Sequence, residues 1–280
     1  MDKNTLGTVT TALGKPFYSR DGIVLYQGDS LELLPSIQEE VFPLTITSPP
    51  YNIGKEYEQP LSLDEYIAWS SEWLARVYEV TQRNGALWLN LGYVAVPGEG
   101  RAIPLPYLLW NKTEFFLQQE LVWQYGAGVS AKRYLSPRNE KVLWFVKSEK
   151  DYYFDLDSIR DPNVKYPNSK KEGRLRYNPL GKNPGDVWYI PKVTSGKNRS
   201  SKERTPHPAQ FPEELIKRLM KCSSRPGETV LDPFMGSGTT GVVAAQLGRQ
   251  CVGIELRQDY LEIAAARIDA ALDDISGRIF

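Results

Sequence analysis

The feature that most constrains the fold of this chain is a strand–turn–helix–strand pattern in residues 229–255. Short apolar runs alternate there with turn residues, at spacings typical of buried strands and an intervening helix. A helix between two strands carries the chain back across the sheet, so the two strands lie parallel in one sheet. The pattern predicts strands at 229–231 and 251–255 and helices at 239–247 and 258–272.

The same alternation extends towards the N-terminus. It predicts strands at 23–26, 44–47, 86–91, 120–125 and 142–147, and helices at 31–37, 63–80 and 212–221. Strands that alternate with helices predict an α/β fold with a mainly parallel sheet between helical layers. Residues 151–205 break the pattern, because Pro, Asn, Lys, Gly and Ser dominate and no periodicity is sustained. We interpret this stretch as a small module or a set of long loops.

The turn after the strand at 229–231 has the composition of a ligand-binding loop. It reads Asp232-Pro233-Phe234-Met235-Gly236-Ser237-Gly238-Thr239-Thr240, and Glu255 ends the next strand. Glycines allow a close approach of the backbone to a ligand, and a carboxylate at the end of the next strand suits two ribose hydroxyls. No Lys follows the glycines as in a phosphate loop, and the three-glycine dinucleotide pattern is incomplete. The loop favours a nucleoside carrying a small zwitterion, the alternative being a tight turn with an incidental Glu.

A second turn combines two prolines with polar and aromatic groups. The predicted strand at 44–47 stops at Ser48-Pro49-Pro50-Tyr51. Prolines have no backbone donor and fix an extended turn, which leaves their carbonyls available as acceptors. A flat ligand with an amino group fits this set, with its ring on Tyr51 and its amine donating to Ser48 and the Pro49 carbonyl. Two fixed acceptors favour a pyramidal nitrogen that can attack a methyl group. A proline-stiffened loop with a surface Tyr is the alternative.

Composition excludes several other classes of protein. No stretch approaches the ~20 apolar residues of a membrane span, and residues 1–11 lack the apolar core of a secretion signal. The two cysteines form no Cys-x-x-Cys pair and there is a single histidine, so we expect no metal site and a reduced cytoplasm. His207 lies between prolines before a predicted helix, and we interpret it as a structural turn residue.

Positive charge is concentrated in one part of the chain. Residues 165–204 contain eleven Lys and Arg against three acids, although the whole chain has no net charge. Such a block favours a polyanionic partner such as nucleic acid, and chance clustering in a solvated loop is the alternative.

Together the two turns resemble the amino-methyltransferases of DNA. In that family the cofactor loop has the form Asp-Pro-Phe-x-Gly-Ser-Gly-Thr-Thr, matched here by 232–240, and the catalytic motif has the form Asp/Asn/Ser-Pro-Pro-Tyr/Phe, matched by 48–51. The catalytic motif precedes the cofactor loop along the chain, which is similar to the order of the two motifs in the beta group of this family. The resemblance implies a Rossmann-like domain with a seven-stranded, mainly parallel sheet and helices on both faces, formed by 1–150 and 206–280, and a target-recognition module at 151–205.

The resemblance also implies roles for individual residues. The methyl donor is S-adenosylmethionine, and the implied catalytic residues are Ser48, Pro49, Pro50 and Tyr51. The implied cofactor-binding residues are Asp29, Asp232, Pro233, Phe234, Gly236, Ser237, Gly238, Thr239, Thr240 and Glu255. Ser at the first motif position is typical of enzymes that methylate N4 of cytosine, whereas Asp is usual in adenine-N6 enzymes. Methylation at carbon 5 requires a thiolate in a Pro-Cys turn, and neither Cys222 nor Cys251 lies in one.

The expected substrate is duplex DNA, with the target base flipped out of the helix and stacked on Tyr51. The candidate DNA-binding residues in the basic block are Arg174, Arg176, Lys197, Arg199 and Arg204. Residues Arg133, Tyr134 and Arg138 either line the DNA cleft or have a structural role. The alternatives are an adenine-N6 DNA methyltransferase, an RNA or protein-amide methyltransferase and a non-catalytic DNA-binding module.

The implied biological setting is restriction–modification in the cytoplasm of a bacterial or archaeal cell, at the nucleoid. Dimers are common in this family, so a homodimer is a candidate assembly. A cognate restriction endonuclease encoded nearby is a candidate partner. The sequence itself indicates neither.

Overall fold

The computed structural model describes residues 4–55, 61–126, 130–176, 178–193 and 203–277. The helices are α1 (Thr5–Leu13), α2 (Ser30–Leu33), α3 (Leu63–Val80), α4 (Leu105–Leu109), α5 (Glu213–Ser223), α6 (Thr239–Gln246) and α7 (Gln258–Gly277). The strands are β1 (Tyr18–Arg20), β2 (Ile23–Gln27), β3 (Phe42–Thr47), β4 (Thr81–Leu91), β5 (Tyr93–Val96), β6 (Gly100–Pro104), β7 (Phe116–Gln124), β8 (Asn139–Val146), β9 (Lys170–Lys171), β10 (Arg174–Leu175), β11 (Val187–Tyr189), β12 (Thr229–Asp232) and β13 (Gln250–Glu255).

Helix α3 shows how local sequence sets these boundaries. Ser62 accepts a hydrogen bond from the backbone N–H of Glu65, and the Glu65 carboxylate accepts one from Ser62 N, which together form a capping box. The apolar side chains recur at helical spacing, and Trp73, Leu74 and Val77 are fully buried. The predicted helix at 63–80 is therefore confirmed with the same bounds.

The central sheet confirms the predicted α/β fold. Its strand order is β1-β2-β13-β12-β3-β4-β8-β7-β11. The run from β2 to β4 is parallel throughout, and β11 is parallel to β7, whereas β1, β8 and β7 pair antiparallel with β2, β4 and β8. In the described residues the sheet has nine strands rather than the seven expected. The two additional strands, β1 and β11, are short edge strands.

Helices cover both faces of the sheet. Alternate residues of the strands belong to two separate buried clusters, as expected for side chains that point to opposite faces. One cluster packs the sheet against α5, α6 and α7, through residues such as Leu215, Val243 and Ile268. The other packs it against α1, α3 and α4, through Val9, Trp73 and Leu109. This is the three-layer arrangement that the sequence predicts.

The interval 151–205 is partly joined to the central sheet. Strand β11 pairs with β7, and the indole of Trp188 is buried in the same cluster as the central strands. Tyr152 and Phe154 also pack against the ring of Trp144. Residues 161–176 and 178–182, with the short β9–β10 hairpin, have the open, mostly exposed character expected of the whole interval. Among the described residues, no helix has both the length and the apolar character needed to cross a bilayer.

Candidate functional site

Four loops meet at one edge of the sheet because their strands are parallel neighbours. The strands β2, β13, β12 and β3 lie side by side, so the segments that leave their carboxyl ends emerge together. These segments contain Asp29, Glu255, the glycine loop and the double-proline turn. They line a single cavity of about 680 Å³. The structure thus brings together two motifs that lie near opposite ends of the printed sequence.

The buried carboxylate of Asp232 connects the two motifs through hydrogen bonds. Its carboxylate accepts hydrogen bonds from Thr47 Oγ1 at 2.7 Å, at the base of the double-proline turn, and from Thr240 Oγ1 at 2.6 Å. The backbone N–H of Phe234 also donates to it, at 3.1 Å. Complete burial, only partly offset by these donors, raises the pKa of Asp232 to about 6.

The predicted cofactor residues fall into two groups. Those that line the cavity are Asp29, Pro233, Phe234, Gly236, Ser237, Thr239 and Glu255. Three others, Asp232, Gly238 and Thr240, are not among the lining residues. Asp232 and Thr240 hold the loop through their mutual hydrogen bond, and Gly238 begins α6. The structure gives these three residues a supporting position instead of one at the cavity wall.

Glu255 joins the end of β13 to the glycine loop. Its Oε2 accepts the backbone N–H of Gly236 at 2.8 Å, and its Oε1 accepts that of Arg257 at 3.0 Å. Burial raises the pKa of Glu255, and these backbone donors oppose that rise. A carboxylate has about four acceptor positions, so each oxygen retains capacity for a ligand hydroxyl. Asp29 lines the cavity and caps α2 by accepting from Leu31 N at 2.8 Å through Oδ1.

The double-proline turn is fixed by hydrogen bonds to its neighbours. The Tyr66 hydroxyl donates to the Pro50 carbonyl at 2.8 Å. Ser48 Oγ and Tyr51 Oη lie 2.9 Å apart, within hydrogen-bond distance. The Tyr51 hydroxyl also lies 3.2 Å from Glu140 Oε2, and burial together with the charge of Glu140 raises its pKa well above 10. Tyr51 therefore remains a neutral phenol within a polar network.

Sequence reasoning missed the residues on the far side of this network. The cavity wall beyond the double-proline turn is formed by Asn90, Trp123, Tyr125, Glu140 and Lys192. The buried Glu140 carboxylate accepts from Asn90 Nδ2 at 2.9 Å and from Lys192 Nζ at 2.7 Å. The ammonium of Lys192 also lies 4.0 Å from the centroid of the Tyr125 ring. No local signal in the sequence marks Glu140, which lies between Asn139 and Lys141 at the polar start of β8.

His207, predicted as a structural turn residue, lines the cavity as well. Its Nδ1 accepts the backbone N–H of Ala209 at 3.3 Å, which is the hydrogen bonding expected of a turn. Its ring packs against Tyr260 with centroids 4.3 Å apart. His207 thus makes the turn contacts expected of it and also borders the ligand space.

The candidate DNA-binding residues are placed only in part. Arg174 and Arg176 are exposed, in and just after the β9–β10 hairpin, and Arg204 is exposed ahead of α5. Lys197 and Arg199 lie outside the described residues. Nearer the cavity, the guanidinium of Arg101 lies 5.1 Å from the centroid of the Tyr134 ring. The Arg138 guanidinium donates to the Gly126 carbonyl at 3.0 Å, a structural contact.

The glycine loop requires a residue without a side chain at Gly238. Its φ is +80°, and a Cβ built there would lie 2.7 Å from Ala264 Cβ and 2.8 Å from Ala264 Cα. We expect Gly238→Ala to lower the free energy of unfolding by at least about 3 kcal/mol, since backbone strain and overpacking add. Urea denaturation measures this change.

Gly248 offers a matched control for that substitution. Its φ is +66°, but a Cβ there meets nothing within 4 Å. Gly248→Ala should therefore cost only the backbone strain, about 1–2 kcal/mol. Equal losses for the two variants would show that the close approach of Gly238 to α7 is unimportant.

The described residues contain no cluster of three or more His, Cys, Asp or Glu that could hold a metal ion. Cys222 and Cys251 are both buried, and neither is among the cavity-lining residues. Burial raises the pKa of Cys222 to about 12. The polar groups at the cavity are carboxylates, hydroxyls, amides, the ammonium groups of Lys55 and Lys192, the guanidinium of Arg257 and the imidazole of His207.

Comparison with known proteins yields one family and several relatives. A family model described as DNA methylase matches residues 42–266. The type II methyltransferase M.ScaI of Streptomyces caespitosus is 59% identical over 265 residues, covering 95% of this chain and 87% of that protein. The DNA adenine methyltransferase YhdJ of Escherichia coli K12 is 33% identical, covering 91% of this chain and 85% of that protein.

Solved structures resemble the whole fold. The PvuII DNA methyltransferase, named as cytosine-N4-specific, superposes with a TM-score of 0.73 at 25% identity, covering 95% of this chain and 96% of that one. TTHA0409 from Thermus thermophilus, solved in complex with S-adenosyl-L-methionine, gives a TM-score of 0.62 at 25% identity, with coverages of 89% and 93%.

Proposed function

Because the chain belongs to the N6/N4 DNA methylase family, we propose that it methylates the exocyclic N4 amine of cytosine at a specific site in duplex DNA. The observation that carries this proposal is the shared cavity. The double-proline turn that would hold the amine and the glycine loop that would hold the methyl donor line one space of about 680 Å³.

The cofactor of this reaction is S-adenosylmethionine, which supplies a methyl group activated by a sulfonium. The residues at the cavity fit such a molecule. Glu255 retains acceptor positions for ribose hydroxyls, and the Asp29 carboxylate can accept from an ammonium. The Phe234 ring, held edge-on against Trp73 with centroids 5.2 Å apart, offers an apolar surface for a nucleobase. We assign cofactor binding to these residues, with Asp232, Gly238 and Thr240 supporting the loop.

The chain's own part in catalysis is to position and polarise the amine. Ser48 Oγ and the Pro49 carbonyl are acceptors at the cavity wall, and we assign one amine hydrogen to each. This pairing favours a pyramidal nitrogen whose lone pair is directed at the methyl group. Tyr51 provides the surface on which the flipped base stacks.

Two observations support cytosine over adenine. Ser48 occupies the first position of the double-proline motif, where Ser is typical of cytosine enzymes. The structural likeness to the PvuII enzyme, named as cytosine-N4-specific, extends over 95% of this chain. The likeness to the adenine methyltransferase YhdJ makes adenine N6 the second candidate.

Nucleoside analysis separates these candidates directly. DNA methylated by the purified protein is digested, and the modified nucleoside is identified by mass spectrometry. We expect N4-methyldeoxycytidine; N6-methyldeoxyadenosine would overturn the choice of base, and no modified nucleoside would overturn the proposed activity. Methylation-sensitive sequencing of DNA from cells expressing the chain then maps the target site, with Ser48→Ala as the blank.

We place target recognition in the exposed part of 151–205, chiefly residues 161–182 with the β9–β10 hairpin. We expect Arg174→Ala and Arg176→Ala each to weaken DNA binding and to reduce the slope of log K against log salt by about 1, as one phosphate contact would. Fluorescence anisotropy at several salt concentrations measures the slope. Arg76→Ala, which removes a partly exposed arginine of α3 that pairs with Glu79 on the same helix, is the control. A slope that stays unchanged in both hairpin variants contradicts this placement.

The wider setting follows from the relatives. M.ScaI is a type II methyltransferase, and we propose that this chain likewise protects DNA beside a cognate restriction endonuclease. A homodimer remains a candidate assembly, and sedimentation of the purified chain with and without DNA tests it.

A further inference from the structure

The double-proline turn ends in a chain of hydrogen bonds that leads to a buried carboxylate. Ser48 Oγ lies 2.9 Å from Tyr51 Oη, and Tyr51 Oη lies 3.2 Å from Glu140 Oε2. Glu140 belongs to β8, far from both in sequence, and its side chain is largely buried. No role for Glu140 follows from either sequence motif.

The direction of hydrogen bonds in this chain decides what Ser48 can do. Each hydroxyl has one proton to donate, so Ser48 Oγ either donates to Tyr51 or accepts from it. If Ser48 accepts from Tyr51, its own proton points elsewhere and can meet an amine hydrogen. If Ser48 donates to Tyr51, its lone pairs remain available for the amine. The second arrangement suits an exocyclic amino group better, because no Ser48 proton is then directed at the amine, and Asn90 Nδ2, 3.4 Å from Ser48 Oγ, occupies at most one of its two lone pairs.

We propose that Glu140 fixes the second arrangement and thereby makes Ser48 an obligate acceptor for the target amine. An ionised carboxylate only accepts, so the Tyr51 hydroxyl donates to Glu140 Oε2 at 3.2 Å in preference to the neutral Asn90 carbonyl oxygen at 3.3 Å. Donation to either acceptor leaves Tyr51 Oη as an acceptor for Ser48. The amide nitrogen of Asn90 strengthens this direction, because it donates to Tyr51 Oη at 2.7 Å and to Glu140 Oε2 at 2.9 Å. Glu140 is therefore a positioning residue that acts through Tyr51. This inference rests on the proposed function.

Lys192 forms an ion pair with the buried carboxylate. Its ammonium donates to Glu140 Oε1 at 2.7 Å, on the side away from Tyr51, and Tyr125 Oη lies 3.4 Å from the same oxygen. A buried carboxylate without such donors would be strongly disfavoured in its ionised form. The two carboxylate oxygens thus have separate partners. Oε1 accepts a hydrogen bond from the Lys192 ammonium, and Oε2 accepts hydrogen bonds from the Tyr51 hydroxyl and the Asn90 amide.

The same series of hydrogen bonds, from Ser48 through Tyr51 to Glu140, gives the target amine a route for the proton that it loses. As the nitrogen bonds to the methyl carbon and the carbon–sulfur bond breaks, the amine becomes cationic. Its N–H bond then breaks, and the electron pair stays on nitrogen. The proton passes to Ser48 Oγ, the Ser48 proton to Tyr51 Oη, and the Tyr51 proton to Glu140 Oε2. Each hydroxyl keeps one proton, and Glu140 holds the one released.

Uracil at the target position tests the direction of the hydrogen bonds from Ser48 to Glu140, because uracil presents a carbonyl where cytosine presents an amine. The probes are duplexes that carry either base at the mapped site opposite an abasic position, so that neither base is paired and the cost of flipping is matched, and anisotropy gives each Kd with S-adenosylhomocysteine present. Wild-type protein should bind the uracil duplex more weakly, since two acceptors then face each other. In Glu140→Gln the side-chain amide can donate to Tyr51, so the chain can reverse and Ser48 can donate to uracil. We expect the ratio of the uracil Kd to the cytosine Kd to fall about tenfold.

A matched glutamate supplies the control. Glu120 on β7 forms an ion pair with Lys141 at 3.4 Å and is absent from the cavity wall. Glu120→Gln should leave the ratio and the transfer rate unchanged. Glu140→Gln should also lower kcat about 10- to 100-fold with KM for DNA within about threefold, because the change affects the amine rather than duplex contacts.

Tyr51→Phe provides a second route to the same conclusion, since it cuts the chain between Ser48 and Glu140. The Tyr51→Phe/Glu140→Gln double variant should then show the same Kd ratio as Tyr51→Phe alone. An unchanged ratio in folded Glu140→Gln protein, or additive effects in the double variant, would overturn the inference. Nucleoside analysis of the wild type fixes the target base independently. Were it adenine, adenine and hypoxanthine would replace cytosine and uracil in the same test.

Discussion

Replacing Tyr51 with alanine is expected to reduce methyl transfer about a thousandfold. The substitution removes the ring on which we propose that the flipped base stacks, a contact worth about 1–3 kcal/mol, and it also breaks the series of hydrogen bonds between Ser48 and Glu140. Transfer of labelled methyl groups to DNA under single-turnover conditions measures the loss. The affinity for S-adenosylmethionine, followed by calorimetry, should stay within about threefold, because Tyr51 follows β3 whereas Glu255 ends β13, and β12 lies between these two strands in the sheet.

Two further substitutions make that result specific. Tyr51→Phe retains the ring and should recover part of the lost rate. Tyr107→Ala removes an exposed tyrosine from α4, outside the cavity, and should leave transfer unchanged. If Tyr51→Ala retains more than a tenth of the wild-type rate, the double-proline turn is not the place where the base is held.

Asp232→Asn is expected to change how stability depends on pH. Burial raises the pKa of Asp232 to about 6 in the folded protein, whereas an unfolded Asp titrates near ~3.9. The folded state therefore holds this proton more tightly than the unfolded state. The contribution of the protonated Asp232 to the stability of the folded state is fully present below about pH 4 and is lost as the pH rises through about 6. The difference of roughly two pKa units corresponds to about 3 kcal/mol.

The comparison of two pH profiles isolates that contribution. Urea denaturation between pH 4 and pH 8 should show wild-type protein losing about 3 kcal/mol more than Asp232→Asn over this range. Asparagine can still accept from Thr47, Thr240 or the Phe234 amide, so the loop keeps most of its support. Parallel profiles for the two proteins would show that Asp232 titrates normally in the folded state.

The parts of the site that the sequence predicts are those carried by contiguous residues. Ser48 to Tyr51 and residues 232–240 are recognisable because their chemistry depends on fixed spacings along the chain. Their meeting in one cavity also follows from sequence, because parallel strands deliver their carboxyl-terminal turns to the same edge. The boundaries of α3 were predictable because capping residues and apolar periodicity agree there.

The parts that sequence reasoning missed depend on contacts between distant residues. Glu140 and Lys192 meet only because β11 brings its following residues alongside β7 and β8. Strand β11 itself has only three residues, too few for a periodic signal. Nothing local to Glu140 distinguishes it from a glutamate on a sheet surface; its burial is a property of the assembled sheet.

The strand order has a consequence for how the protein is made. Strands β2 and β3 leave the ribosome early, but in the finished sheet β13 and β12 stand between them. A nascent chain that ends before Thr229 therefore has no partner for one long side of either strand. We expect chains stalled at that point to be readily cleaved by proteases, and methyltransferase activity to begin only once translation has passed Glu255.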